Sequence, residues 1–249
     1  LIGGPPCENF SSSKGGRANV LDGLRLVQAF LRTVYERQPK YWVMENVPRV
    51  AKHLPPSIPL SWIGIDKKGE LEVPIRHEFD TSLYGIPQRR RRYLIGAYPL
   101  PEPSHGEDGK PGVPSLGEVI SSLGGKGAVQ DINYGFTVAR KDLADHDHPV
   151  AFEPEEIERI RRVKEEHPYM GRMAFPDRLD LPARTVVATQ LGRETLVVGK
   201  GSKSESFRRL TVRECATLQS FPITYHFLGR SLASRYRQAG DAVPPLFSY

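Results

Sequence analysis

The stretch from Gly3 to Ser11 reads GGPPCENFS, and the rest of the chain is organised around it. Its two glycines allow the backbone to approach a ligand closely, and its proline pair fixes φ, so the Cys7 thiol is presented with little loss of entropy. Ile2 is typical of the end of a buried strand, which predicts Cys7 at a strand's carboxyl end, where open α/β sheets bind ligands. A lone cysteine at such a turn is more often inert packing, so the other motifs must decide.

The composition is that of a soluble globular protein. The chain has 249 residues, of which 39% are hydrophobic and 26% charged, enough for one core and a smaller lobe. No apolar run reaches the roughly 20 residues that a membrane span needs, and no signal peptide is visible, so we expect a cytoplasmic protein. Two cysteines make no disulfide framework. The net charge of +6 suits a polyanionic partner.

Hydrophobic periodicity predicts the main helices and strands. A helix is expected over 22–38 with Asp22 as its N-cap, followed by a buried parallel strand, Tyr41–Met44, that places Glu45 at its carboxyl end. A carboxylate there is either paired structurally or presented to a ligand. Further strands are predicted over 75–83, 93–96, 185–189 and 195–198, and further helices over 154–167 and 210–218, the last with a capping box from Thr211 to Glu214.

An arginine run follows Gln88. Such a run is usually a solvated face, but side chains alternate along a strand, so Arg90 and Arg92 are predicted to share one face. Two guanidinium groups directed the same way beside a carboxylate and a thiol suit an anion or the edge of a base.

The amino-acid composition changes between about Pro101 and Asp180. Proline and glycine are dense up to Gly127, which is typical of a linker or an irregular lobe. His146 and His148 flank an aspartate, but no further ligand follows at a suitable spacing, so we predict no metal site.

Together these segments resemble the C5-cytosine DNA methyltransferase family nearly end to end, with the variable stretch in between. The matching segments are, in order, GGPPCENFS, Glu45-Asn46-Val47, Gln88-x-Arg90-x-Arg92, Arg209-x-Leu-Thr-x-x-Glu214 with Gln219-x-Phe-Pro222, and Gly240-Asp-Ala-Val-Pro-Pro245. Glu8 stands where the family usually has glutamine, and Asp241 where it usually has asparagine. No Gly-rich cofactor loop precedes Cys7, which predicts a fragment or one half of a split enzyme.

The resemblance implies an α/β fold, a partial Rossmann-like methyltransferase sheet with a smaller irregular target-recognition lobe. Residues 1–100 would be the first, N-terminally truncated part of the catalytic domain, 101–206 the target-recognition lobe, and 207–249 a return to the catalytic domain.

The resemblance also implies a reaction and its residues. A methyl group would pass from S-adenosylmethionine to C5 of a cytosine flipped out of double-stranded DNA, in a bacterial or archaeal restriction-modification setting. Cys7 would add to C6, a protonated Glu45 would act at N3, and Arg92, with Arg90, would bind O2. The implied cofactor contacts are Pro6, Leu26, Asp241, Ala242 and Val243. The implied DNA contacts, in a flap over the flipped base, are Ser11, Lys14 and Arg17.

Two alternatives stay open. The chain resembles a tRNA cytosine-C5 methyltransferase of the same family less closely, because the Cys-Phe-Thr element of such relatives does not occur in the variable stretch. The departures at Glu8 and Asp241 would also suit a non-catalytic DNA-binding or partner subunit, completed by a complementary chain that supplies the cofactor loop.

Overall fold

A computed structural model describes residues 1–10, 19–143, 152–166, 174–190, 192, 195–199 and 207–249. Their contacts divide into two compact units. The first unit comprises Leu1–Asp80 and Arg91–Glu102, and the second comprises Thr81–Arg90 and Pro103–Tyr249. Within these described ranges, no helix has both the length and the hydrophobicity to cross a bilayer.

The first unit is built on a four-stranded mixed sheet. The strands of this unit are Ile2–Gly3 (β1), Trp42–Asn46 (β2), Ile58–Pro59 (β3), Glu70–Leu71 (β4), Ile75–Asp80 (β5) and Arg91–Ala97 (β6). The main sheet has the order β1-β2-β6-β5, and β3 pairs with β4 separately. β1 runs parallel to β2, whereas β6 runs antiparallel to both of its neighbours. The parallel pairing predicted for β2 therefore holds on one side only.

One long helix, α1 (Val20–Arg37), packs in this unit and buries Val27, Leu31 and Val34 in its core. Its N-cap is Asn19, whose side chain accepts a hydrogen bond from the backbone N–H of Asp22 at 3.5 Å. The prediction of Asp22 as the cap was wrong, because the carboxylate of Asp22 instead accepts from the Asn19 side-chain amide at 2.5 Å. The helix thus begins two residues earlier than its apolar stripe suggests.

The second unit is a set of short helices and two-stranded ladders. Its elements are α2 (Leu116–Ser122), β7 (Ala128–Gln130), β8 (Thr137–Ala139), α3 (Pro154–Glu166), β9 (Val197–Gly199), β10 (Phe207–Arg209), α4 (Val212–Leu218), α5 (Leu232–Asp241) and α6 (Pro245–Ser248). The ladders are β7 with β8 and β9 with β10, both antiparallel. Apolar residues of α2, α4 and α5 share one core, in which Tyr236 is fully buried.

Helix α4 begins as its sequence predicts. The hydroxyl of Thr211 accepts from the Glu214 N–H at 3.0 Å, and the Glu214 carboxylate accepts from the Thr211 N–H at 2.7 Å. This reciprocal pair satisfies two N–H groups that would otherwise lack partners at the start of the helix.

Two predicted strands differ from the structure. The strand predicted over 75–83 ends at Asp80, and a 3₁₀ turn, Thr81–Tyr84, follows it. The strand predicted over 185–189 is absent, because the groups that a partner strand would bind are taken by side chains: Gln88 Oε1 accepts from the Val186 N–H, and Arg90 donates to the Val186 carbonyl. The strand predicted over 195–198 is present as β9 and pairs with β10.

The two compact units do not follow the three segments predicted from the sequence. Residues 207–249 cluster with the second unit, since α4 and α5 share their core with α2, and residues 81–90 cluster there too. The functional division into 1–100, 101–206 and 207–249 stays a prediction.

Candidate active site

The sheet topology of the first unit places its predicted catalytic residues at one edge of the sheet. Because β1 and β2 are parallel, their carboxyl ends meet at the same edge, and because β6 is antiparallel to β2, its amino end lies there too. Cys7 follows β1, Glu45 lies near the end of β2, and Arg92 lies near the start of β6. Three residues far apart in sequence are therefore brought together by strand pairing.

Glu45 and Arg92 form a largely buried ion pair. Nε of Arg92 lies 2.6 Å from Oε1 of Glu45, and their side chains are 10% and 19% exposed, respectively. Burial lowers the pKa of the Arg92 guanidinium, while negative charge on Glu45 and on Cys7 opposes this effect. The guanidinium stays protonated at neutral pH, because the ordinary pKa of arginine lies far above neutrality. It thus provides a fixed positive charge within electrostatic range of the sulfur.

The loop that carries Cys7 lies close to this edge of the sheet. Cys7 is partly exposed and opens a 3₁₀ turn, Cys7–Asn9, whose carbonyl at Cys7 accepts from the Phe10 N–H at 2.9 Å. A β-carbon placed on Gly4 would lie 3.5 Å from Oε2 of Glu45, so the loop backbone lies close to the carboxylate.

Asn46 is a site residue whose function sequence reasoning did not assign. It is fully buried, and its Nδ2 donates to the Pro5 carbonyl at 3.0 Å, while its Oδ1 accepts from the Val47 N–H at 2.9 Å. The amide therefore ties the proline pair before Cys7 to the end of β2. Its place in the Glu45-Asn46-Val47 motif was the signal that could have identified it.

Phe10 and Gly23 fix the other end of the Cys7 loop. Phe10 is buried in the core of the first unit, and a β-carbon on Gly23 would lie only 2.7 Å from its ring. The glycine in the first turns of α1 therefore makes room for the ring. No periodic pattern signals this contact, since it depends on tertiary packing.

Arg90 is placed differently from Arg92. It belongs to the second unit, where it is 3% exposed and donates to the backbone carbonyls of Val186, Gly240 and Ala242 at 3.0, 2.8 and 3.1 Å. The structure therefore pairs Arg92 with Glu45 and directs Arg90 to backbone carbonyls, although the alternation of a strand predicted a shared face.

The residues predicted to contact a cofactor lie in both units. Pro6 and Leu26 are exposed apolar side chains of the first unit, and Leu26 is 46% exposed on α1. Phe30 lies one turn further along α1, and a β-carbon on Gly3 would lie 2.2 Å from its ring, so β1 covers this face of the helix. Asp241, Ala242 and Val243 follow α5 in the second unit, with Asp241 exposed.

Other predicted residues lie outside the described residues. These are the DNA contacts Ser11, Lys14 and Arg17 and the sequence His146-Asp147-His148. Among the residues that the structure does describe, no group of three His, Cys, Asp or Glu side chains is arranged to hold a metal ion.

The second unit contains a buried charge cluster that the sequence pattern did not predict. Lys164 lies on the apolar side of α3, is fully buried, and donates to Asp177 at 2.8 Å. Asp177 also accepts from Arg184 Nε at 2.5 Å and from the Val197 N–H at 2.7 Å. Burial lowers the pKa of Lys164 to about 8, and the positive charge of Arg184 adds to this effect, while Asp177 opposes it.

Comparison with known proteins identifies the family. The family model described as C-5 cytosine-specific DNA methylase matches residues 1–248. The chain belongs to the C-5 cytosine-specific DNA methylase family, which confirms the resemblance read from its motifs.

Individual relatives agree with this assignment. The chain is 29% identical over 281 residues to the Type II methyltransferase M1.HphI of Haemophilus parahaemolyticus. It is 30% identical over 287 residues to the Type II methyltransferase M.XorII of Xanthomonas oryzae pv. oryzae. Both alignments cover 100% of this chain and 65% of the relative, so the chain spans about 65% of the length of these relatives.

Solved structures support the fold. The Entamoeba histolytica methyltransferase EhMeth aligns with a TM-score of 0.55 at 14% identity, covering 99% of this chain and 73% of that one. The S. pombe Dnmt2 methyltransferase aligns with a TM-score of 0.52 at 14% identity, covering 100% and 74%. At this identity the similarity concerns the fold alone, and it confirms the predicted α/β methyltransferase class.

Proposed function

We propose that this chain carries the catalytic residues of an enzyme that transfers a methyl group from S-adenosylmethionine to C5 of cytosine in DNA. The observation that carries the proposal is the Glu45–Arg92 ion pair beside the Cys7 loop. A nucleophile, a proton donor and a fixed cation at one sheet edge are the groups that activation of a pyrimidine requires.

The first step is covalent. Cytosine C5 is a poor nucleophile, so the Cys7 thiolate adds to C6, and the C5=C6 π electrons move into the ring towards N3. Glu45, in its protonated form, supplies a proton to N3, which leaves C5 as an electron-rich enamine carbon. Arg92 holds the base at O2 through a charge-assisted hydrogen bond and faces the carboxylate that Glu45 becomes.

S-Adenosylmethionine, when bound, supplies an electrophilic methyl group at C5. Afterwards a base takes up the C5 proton, and the C5–H bonding pair re-forms C5=C6 as the C6–S bond breaks. The Cys7 thiolate departs, and N3 returns its proton to Glu45. This balances the first step and regenerates the free enzyme.

The base must leave the duplex for this chemistry. A thiol cannot reach C6 of a stacked cytosine, and flipping the nucleotide costs a few kcal/mol. We propose that the segment carrying Ser11, Lys14 and Arg17 closes over the flipped base and meets backbone phosphates. The variable stretch in 101–206 would supply the sequence recognition, as in a restriction-modification enzyme.

The residues that would contact the cofactor are Pro6 and Leu26 of the first unit and Asp241, Ala242 and Val243 of the second. The exposed apolar surface of Leu26 suits the adenine ring, while the Asp241 carboxylate would repel the carboxylate of the cofactor. Because the chain spans about 65% of the length of its relatives, we propose that further residues complete the site, on the same polypeptide or on a complementary chain. The 249-residue chain alone should then bind no S-adenosylmethionine, and tight binding would refute this part of the proposal.

Tritium release from DNA labelled at cytosine C5 tests the proposal without knowledge of the target sequence. The complete protein in which these residues occur should release tritium, because addition of Cys7 at C6 labilises the C5 hydrogen. Cys7→Ser should abolish release, whereas Cys215→Ser should not, because Cys215 is buried in the core of the second unit. Equal release by wild type and Cys7→Ser would refute the proposal, and release from labelled tRNA but not DNA would favour the tRNA alternative.

A further inference from the structure

The end of helix α5 is held by a side chain from a distant segment. Carbonyl groups in the last turn of a helix have no intrahelical partner, and α5 ends at Asp241. Nη2 of Arg90 donates to the Gly240 carbonyl at 2.8 Å and to the Ala242 carbonyl at 3.1 Å. A cation at this position also interacts favourably with the helix dipole. Arg90 is therefore a C-terminal cap for the helix that leads into Asp241–Val243.

Gln88 reaches the same helix end by a second route. Its Nε2 donates to Gln219 Oε1 at 3.0 Å, and Gln219 Nε2 donates to the Ala239 carbonyl at 2.7 Å. Gln88 Oε1 accepts from the Val186 N–H at 2.5 Å, while Arg90 Nη1 donates to the Val186 carbonyl at 3.0 Å. Both polar groups of one residue, Val186, are thus bound by the first two members of the Gln88-x-Arg90-x-Arg92 motif.

Gly240, near the end of α5, packs against the backbone that follows Val186. A β-carbon on Gly240 would lie 2.3 Å from the backbone nitrogen of Ala188 and 2.4 Å from the carbonyl carbon of Val187. The end of α5 therefore lies directly on the backbone that follows Val186. Backbone cannot move aside as a side chain can, so the start of the Asp241–Val243 segment is fixed in place.

We propose that Arg90 is a positioning residue for the cofactor-binding segment Asp241–Val243, whereas Arg92 serves the target base. The two arginines of one motif then have separate roles: Arg90 orders backbone at the end of α5, and Arg92 pairs with Glu45 beside Cys7. The inference rests on the proposed function, because it assigns these roles within a methyltransferase.

The test compares Arg90→Lys with Arg92→Lys in the complete protein. Lysine keeps the charge but has a single ammonium group, which cannot reproduce the planar fork that spans three carbonyls. For Arg90→Lys we expect the Kd for S-adenosylhomocysteine to rise about tenfold, with cofactor-free tritium exchange at cytosine C5 within about twofold of wild type. Arg92→Lys should show the reverse, a loss of exchange with an unchanged Kd. Arg89→Lys, an exposed neighbour, is the control and should change neither.

Hydrogen exchange provides a readout that does not depend on activity. Backbone amides of peptides covering 238–246 should exchange faster in Arg90→Lys than in wild type, and peptides covering β2 should be unaffected. If Arg90→Lys does not fold, Gln219→Glu takes its place, since it removes the donor to Ala239 without changing Arg90. It too should weaken S-adenosylhomocysteine binding and spare tritium exchange.

Loss of tritium exchange in Arg90→Lys with an unchanged Kd would overturn the inference, as would no change in either quantity. A wild-type protein that neither exchanges tritium nor binds S-adenosylhomocysteine would instead refute the proposed function. The two failures are therefore distinguishable.

Discussion

Glu45 and Arg92 meet at 2.6 Å across two antiparallel strands, at the edge of the sheet where Cys7 lies. Both side chains are largely buried, so neither charge is well solvated and each depends on the other. In the proposed mechanism, the target base would contact both groups. There, Glu45 in its protonated form would give a proton to N3, and Arg92 would donate a hydrogen bond to O2.

Glu45→Gln tests the proton transfer. Glutamine has nearly the same shape as glutamate and still forms hydrogen bonds, but it cannot act as an acid. We expect the rate of tritium exchange from C5-labelled DNA to fall by about 10²–10⁴, in line with the loss of one general acid. Binding of DNA to the variant, measured by fluorescence anisotropy, should change little. Exchange within tenfold of wild type would remove Glu45 from the mechanism.

Asn46→Asp tests the tether between β2 and the Cys7 loop. The variant keeps the acceptor for the Val47 N–H but places a carboxylate oxygen where an N–H met the Pro5 carbonyl. We expect the free energy of unfolding to fall by about 1–3 kcal/mol, the usual cost of an unsatisfied buried polar group. Tritium exchange should slow as well, since Cys7 is two residues from Pro5, and a stable variant with full exchange would contradict the role of Asn46.

Gly23→Ala tests the packing that anchors Phe10. Alanine favours a helix over glycine by roughly 0.5–1 kcal/mol, so a purely local effect would stabilise the protein. Because the added methyl group would lie 2.7 Å from the Phe10 ring, we expect overpacking to cost about 1–3 kcal/mol and to outweigh that gain. Thermal unfolding measures the sign. Gly112→Ala, where a β-carbon meets nothing within 4 Å, is the control and should not lower the melting temperature.

The lowered pKa of the buried Lys164 ammonium group predicts that the free energy of unfolding depends on pH. Its pKa falls from 10.5 to about 8 on folding, so between these values the unfolded chain binds more protons than the folded chain. Stability should therefore rise as pH increases from 8 to 10.5, by about 1–3 kcal/mol. Urea denaturation at a series of pH values measures this rise in the free energy of unfolding. Lys164→Met should abolish it and the exposed Lys141→Met should not; a rise that persists in Lys164→Met would assign it to another group.

Local signals in the sequence predicted much of the fold. The capping box of α4 and the strand before Glu45 depend on neighbouring residues, and both are present. Tertiary packing decided the rest. The sequence pattern indicates that Lys164 is a solvated charge on a charged helix, but its side chain is buried and forms an ion pair with Asp177. The strand predicted over 185–189 fails because side chains rather than a partner strand satisfy Val186.

Site residues follow the same division. The motifs singled out Cys7, Glu45 and Arg92, but the antiparallel direction of β6, which brings Arg92 to the edge, has no signature in the sequence. Equally, alternation along a strand suggested one role for both arginines, whereas Arg90 lies before β6 begins and its guanidinium is directed to backbone carbonyls.

Covalent trapping tests the central claim most directly. With S-adenosylmethionine present, the complete protein is incubated with DNA in which 5-fluorocytosine replaces cytosine, and the product is analysed by denaturing electrophoresis and peptide mass spectrometry. Fluorine cannot leave C5 as a proton does, so the account predicts a stable protein–DNA adduct through the peptide containing Cys7 and no adduct in Cys7→Ser. An adduct that persists in Cys7→Ser, or that maps to another residue, would contradict it.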